Sequence, residues 1–176
     1  MNFSEISDII NNHFNITLDQ YDNWVAGHEA AHAVVAHHFN ASIMCIETTT
    51  SVNNNIISRA RTVYKMLGSQ LDTINIMAAG VAYDKKYASY FGVPTKVLSH
   101  MCGDKKLAFE YMENINVRSD HQEKVWSSCI HDMSSLLEDS AIKQQINKLQ
   151  GFIYQAIQTS TINIPGHDVV VIIDGT

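Results

Sequence analysis

Residues 28–32 read His-Glu-Ala-Ala-His inside a long stretch of helical apolar spacing, and no other feature narrows the possible folds as much. On a helix, positions i and i+4 lie one above the other, so His28 and His32 can present two imidazoles to a single metal ion. Glu29 lies about 100° further round an ideal helix, where it can reach a metal-held water as a general base. The surrounding pattern predicts a helix over residues 22–39, with Asp22 as N-cap and Val25, Ala26, Ala33, Val34 and Ala36 supplying apolar surface. Ligands on such a packed helix are held rigidly. His37 and His38 fall near the predicted helix end, where histidines serve as solvated residues or favour the helix dipole.

At 176 residues, with 45% hydrophobic residues and two prolines, the chain suits one folded domain with a sizeable core. That domain is expected to span 1–176, with a metal-site half over about 1–115 and closing helices over about 116–176. The formal net charge is −6 and the 12 Lys and Arg are scattered, which argues against nucleic acid or another polyanion as partner. Residues 1–16 lack a basic segment followed by an apolar one, and no run approaches the roughly 20 apolar residues of a membrane span. A cytoplasmic protein without a direct membrane span is expected. Cys45, Cys102 and Cys129 are odd in number and share no CxxC spacing, so neither a disulfide framework nor a cysteine zinc site is indicated.

Periodicity predicts mostly helices. A short one covers 3–13, and a longer one covers 70–87, with Leu71, Ile74, Met77, Ala78 and Val81 on one side. Gly80 interrupts that second helix at a cost of about 1 kcal/mol against alanine. The small run Ala78, Ala79, Gly80 would let the metal helix approach closely. Between these helices, the polar stretch 47–55 with Thr48, Thr49, Thr50 and Val52 is the best candidate for a strand. An edge strand beside a metal helix can receive a peptide as an additional strand. After Pro94 a loop through Ser99, His100, Met101, Cys102 and Gly103 leads to helices over 104–114, 121–137 and 141–158. Pro165 and Gly166 then turn the chain into the apolar run 169–173. Trp24 and Trp126 read as core or groove residues.

A catalytic zinc site normally takes three protein ligands and leaves a fourth position for water, so a third ligand must come from downstream. The compact HExxHxxGxxH spacing is excluded, because Val35 stands where its glycine turn belongs. Asp72, Asp84, His100, Asp104 and Glu110 remain, and spacing does not rank them. Asp104 has one local merit: it begins a helix after Gly103, where a carboxylate is well placed and rigidly held.

Taken in order, these segments resemble the C-terminal peptidase domain of the FtsH-type ATP-dependent zinc proteases. HEAAHAVVA (28–36) is similar to that family's HEAGHAVVA, with Ala31 at the family's glycine. MAAGVAYD (77–84) resembles its second signature, a small-residue helix ending in an acid, and HMCGDKKLA (100–108) resembles the stretch that carries its third zinc ligand. TINIPGHDVVVII (161–173) looks like its final turn and tail. The resemblance maps the third ligand onto Asp104.

It implies a mainly α, helical-bundle, zincin-like peptidase domain with a small β element beside the metal-binding helix. Zn2+ would be held by His28, His32 and Asp104, with Glu29 as the catalytic base and Asp84 orienting a histidine. The family's proteases carry a membrane anchor and an ATPase module before the peptidase, and no GxxxxGK[ST] phosphate loop occurs here. Activity is therefore expected to be ATP-independent and limited to flexible peptides or unfolded polypeptides, with a separate ATPase partner or a homo-oligomer as possible company. The alternative is a catalytically weak, metal-stabilised peptide-binding or regulatory module.

Overall fold

Thr17 begins the central helix. Its hydroxyl accepts the Gln20 N–H at 3.2 Å while the Gln20 side-chain oxygen accepts the Thr17 N–H at 2.9 Å, a capping box that satisfies donors left open in the first turn. Helix α2 therefore runs Leu18–His38, a full turn earlier than its expected start. Asp22 is not its cap, because that carboxylate is fully buried and bonded to Arg59. The helix ends where Asn40 takes a left-handed φ of 58° and the Ala41 N–H reaches back to the Ala36 carbonyl at 2.8 Å. Asparagine tolerates that conformation.

The computed structural model describes residues 3–48, 51–53, 56–65, 69–93 and 103–175, and within them the chain is mainly helical with one small three-stranded sheet. Around α2 stand α1 (Phe3–Phe14), α3 (Gln70–Tyr87), α4 (Gly103–Asn114), α5 (Ser119–Leu136), α6 (Ser140–Gln158) and α7 (Gly166–Asp174). Periodicity locates α1 and α3 to α6 to within two residues. The expected loop over 99–103 lies outside the described residues apart from Gly103. Among the described residues, no helix is long and apolar enough to cross a membrane.

The strands are β1 (Ser42–Glu47), β2 (Ser51–Asn53), β3 (Ile56–Ser58), β4 (Arg61–Lys65) and β5 (Asn163–Pro165). The antiparallel order is β4-β1-β5, and β2 and β3 form a separate antiparallel pair. Of the strand expected over 47–55, the central strand β1 reaches Glu47 and β2 covers Ser51–Asn53, while residues 49–50 and 54–55 lie outside the described residues. The register of β1 on β4 shifts between Ile43 and Cys45, which is how Ile43 and Ile46, three residues apart, both come to be buried. A bulge of this kind breaks the two-residue alternation by which a strand is read from sequence. Gly166 packs against that bulge, where an added Cβ would lie 1.9 Å from the Ile43 carbonyl oxygen.

Helix α2 packs chiefly against α3 and α6, and β4 lies along it. Its core contacts include Val34, Val35, Ile74 and Ile76, none more than 2% exposed, each contributing about 1.5–3 kcal/mol by burial. A polar row joins α2 to α6: Tyr154 donates to Asp19, Gln150 to Asn23 Oδ1 at 2.8 Å, and Gln158 to Asp22 Oδ2 at 3.0 Å. Gln150 also accepts from the Tyr83 hydroxyl at 3.3 Å, so it bridges α2 and α3. Trp126 is a core residue edge-on to Phe109, as its spacing predicts.

Candidate metal centre

Two helices converge on one point. Helix α2 supplies His28 and His32, and the first turn of α4 supplies Asp104. Nε2 of His28 lies 3.1 Å from Nε2 of His32, while Asp104 Oδ2 lies 3.2 Å from the former and 3.5 Å from the latter. Donors about 2.0–2.1 Å from a tetrahedral metal are about 3.3 Å apart, so this triangle has the dimensions of one face of such a site. His28, His32 and Asp104 form a group that can hold a metal ion.

The other nitrogen of each imidazole is already committed. His28 Nδ1 lies 3.0 Å from Asp84 Oδ2, and His32 Nδ1 lies 2.7 Å from the Ile76 carbonyl oxygen. Both acceptors require a proton on Nδ1, which leaves the two Nε2 lone pairs aimed at Asp104 and at each other. Neutral rings in that arrangement repel across 3.1 Å unless a positive charge sits between them. Electrostatics agree in sign: burial alone would lower the His28 pKa, but Asp84 and Asp104 outweigh it and raise it well above the ordinary value. For His32, burial also lowers the pKa, and Asp104 reverses the sign. Burial would raise the Asp104 pKa, yet His32 and His28 hold its carboxyl far below the usual carboxylate range. The site calls for positive charge, which either a proton or a metal ion supplies.

Helix α3 runs antiparallel to α2 and makes this geometry possible. His32 faces Ile76, His28 faces Gly80 and Asp84, and Trp24 donates its indole N–H to Asp84 Oδ1 at 2.7 Å. The expected close approach at Gly80 is found, since a Cβ there would lie 2.4 Å from His32 Nε2 and 2.5 Å from His28 Cε1. The tolerance is equally small at Gly27, where a Cβ would lie 2.0 Å from the Tyr83 hydroxyl. Ala31, at the position where the resembled family has glycine, is fully buried and fits. Asp84 is thus an orienting group that serves both Trp24 and His28. Asp84→Asn keeps an acceptor for Trp24 but weakens the hold on His28 Nδ1. Metal affinity is expected to fall roughly 10- to 100-fold, read by competition with a chromophoric chelator; unchanged affinity would remove Asp84 from the site.

Glu29 is 8% exposed and its Oε2 accepts the Thr62 backbone N–H of β4 at 2.6 Å, while the Thr62 hydroxyl donates to the Glu29 carbonyl at 3.0 Å. The edge strand beside the donor helix is therefore β4, not the expected 47–55 segment. A cavity of about 380 Å³ opens over the group, with Val25, Met77 and Leu107 among its apolar walls. Other candidate ligands lie elsewhere. Asp72 lies in the first turn of α3, where its backbone N–H donates to the hydroxyl of the N-cap Ser69, Glu110 is exposed and pairs with Lys106, and His100 is outside the described residues. His37 pairs with Asp174, and His38 stacks edge-on against Phe39.

Several partners of the site carry little sequence signal. A backbone carbonyl such as that of Ile76, or the Thr62 N–H, has none. Trp24 has one, since it precedes His28 by four residues and so shares its helix face. Arg59, which lines the cavity wall, forms a bidentate pair with Asp22 at 2.8 and 2.9 Å. No protein-family model matches the chain, and no curated protein matches it in sequence.

Proposed function

We propose that this protein is a zinc-dependent peptidase of the HExxH type, with a zincin-like site that hydrolyses peptide bonds in flexible or unfolded polypeptides. The observation that carries this reading is the donor triangle of His28, His32 and Asp104 with Glu29 on the same helix beside it. Two imidazoles and one carboxylate suit zinc among the common divalent ions. Further support comes from the order of motifs shared with FtsH-type peptidases, which leads from HEAAH through the acid at Asp84 to Asp104.

When bound, zinc supplies Lewis acidity, lowering the pKa of water and polarising a carbonyl. His28 and His32 would hold it through Nε2 and Asp104 through a carboxylate oxygen, with Asp84 and the Ile76 carbonyl fixing the tautomers. Glu29, its carboxylate oriented by the Thr62 N–H, takes a proton from the attacking water and delivers it to the leaving amine. The cavity's apolar walls exclude water and accommodate side chains of the substrate. Thr62 presents its N–H away from β1, so β4 has an outer edge facing the site, along which an extended peptide can align. An aligned strand is available only in a flexible or unfolded chain.

The test is metal content by elemental mass spectrometry together with cleavage of unfolded casein. Near-stoichiometric zinc is expected in the wild type and in Glu29→Gln, and its loss in His28→Ala and Asp104→Ala. Cleavage by Glu29→Gln is expected to drop on the order of 10²- to 10⁴-fold. Zinc without cleavage by the wild type would replace this reading with a module that binds metal and peptide without cutting. Absence of zinc would remove both.

A further inference from the structure

Tyr64 sits two residues beyond Thr62 on β4 and so projects from the same face of the strand. Thr62 is clamped to Glu29 through both its N–H and its hydroxyl, which anchors that face of the strand against the donor helix. The Tyr64 ring is half-buried against the core and lines the cavity together with His28, Glu29, His32 and Asp104. Burial, ahead of the charges of Asp104 and Glu29, pushes the Tyr64 phenol above its ordinary pKa.

Most side-chain donors in the cavity wall are already engaged. The Trp24 indole N–H is given to Asp84, Arg59 to Asp22, Arg61 to Glu47 and the Thr62 hydroxyl to the Glu29 carbonyl. Tyr21 is fully buried. The Tyr64 hydroxyl makes no hydrogen bond among the described residues, and the side chain lines the same cavity as Glu29 and Asp104. A phenol remains protonated at neutral pH, so it is an O–H donor where Glu29 is a base.

We propose that Tyr64 is a further catalytic residue, whose hydroxyl donates a hydrogen bond to the oxygen of the scissile carbonyl as negative charge develops there. The phenol keeps its proton throughout. Glu29 carries the proton from water to the amine, and Tyr64 stabilises the charge that the attack creates. This inference rests on the peptidase reading above. A donor fixed on a strand loses little order when the charge appears, which is the condition under which one hydrogen bond affects the barrier most.

Tyr64→Phe keeps the ring and removes only the hydroxyl. On a fluorogenic unfolded substrate, kcat is expected to fall on the order of 10²-fold, with KM held within about twofold. Zinc content and thermal midpoint should be unchanged. A phosphinate peptide, whose tetrahedral oxygen resembles the developing oxyanion, should bind the variant roughly tenfold more weakly by calorimetry. A peptide of the same sequence with an ordinary amide should bind it as it binds the wild type. Equal kcat and equal phosphinate binding in an active wild-type background would overturn the role of Tyr64 alone. A rise in KM with unchanged kcat would also overturn it, assigning Tyr64 to ground-state binding. A wild type that holds zinc but does not cleave would remove the peptidase reading and this inference with it.

Discussion

Alanine at Gly80 is expected to abolish stoichiometric metal binding and to lower the thermal midpoint, although it adds a single methyl group. That methyl would lie 2.4 Å from His32 Nε2, 2.5 Å from His28 Cε1 and 2.6 Å from His28 Nε2. Real carbon contacts do not approach so closely, so helices or rings must move. Alanine is intrinsically better than glycine inside a helix by about 1 kcal/mol, which alone would stabilise α3. Overpacking a close interface costs about 1–3 kcal/mol. It wins here because neither ring can turn away: Nδ1 of one is held by Asp84 and Nδ1 of the other by the Ile76 carbonyl. Displaced donors no longer share one point, so the loss of metal should exceed what the modest stability change suggests. Metal content and a thermal melt of Gly80→Ala against wild type check both parts. Retention of one ion at wild-type affinity would show that the rings have room, and would dismiss helix approach as the basis of the site.

The largest stability effect is expected at Asp22. Its carboxylate has no exposed surface and Arg59 is 8% exposed, with two hydrogen bonds of 2.8 and 2.9 Å between them. Burial pushes the Asp22 carboxyl up, while Arg59 pulls in the opposite direction. Asp22→Ala leaves a buried guanidinium without its carboxylate and frees the Gln158 amide that also donates to Asp22. Removing one partner of a buried pair costs about 3–5 kcal/mol, which for a chain of this size lowers the thermal midpoint by roughly 10 °C. Asp22→Leu with Arg59→Met should recover much of the loss, because two apolar side chains replace two charges that no longer need each other. A double variant as unstable as the single one would show that the pair has a positional role beyond its own energy. Arg59 lies in the loop that leads into β4, so the Thr62–Glu29 contact would be the place to look.

Helical periodicity was legible wherever an element makes its own pattern. Residues 70–87 and 141–158 repeat apolar side chains at 3.6-residue spacing and fold as read. The start of α2 was misread because an aspartate at a plausible cap position is chemically interchangeable with one buried against an arginine. Only the fold says that Arg59 stands opposite Asp22, while the TLDQ box at residues 17–20 carried the true signal. The sheet was misread for a different reason. Ile43 and Ile46 violate two-residue alternation because of a bulge, and β5 has three residues whose pairing comes from β1 alone. In the site, His28, Glu29 and His32 were readable because one helix spaces them. Asp104 needed an external resemblance, and Ile76 needed the structure, since every residue has a carbonyl.

Helix α6 contributes no side chain to the cavity, yet Gln150 touches both helices that frame the centre, through Asn23 on α2 and Tyr83 on α3. The gap between those helices is the quantity that Gly27 and Gly80 keep small. A glutamine in the closing part of the chain therefore works as a gauge block for the separation of two elements it does not belong to. Drift at that one position can retune the centre in small steps, whereas change at the glycines or histidines can only break it.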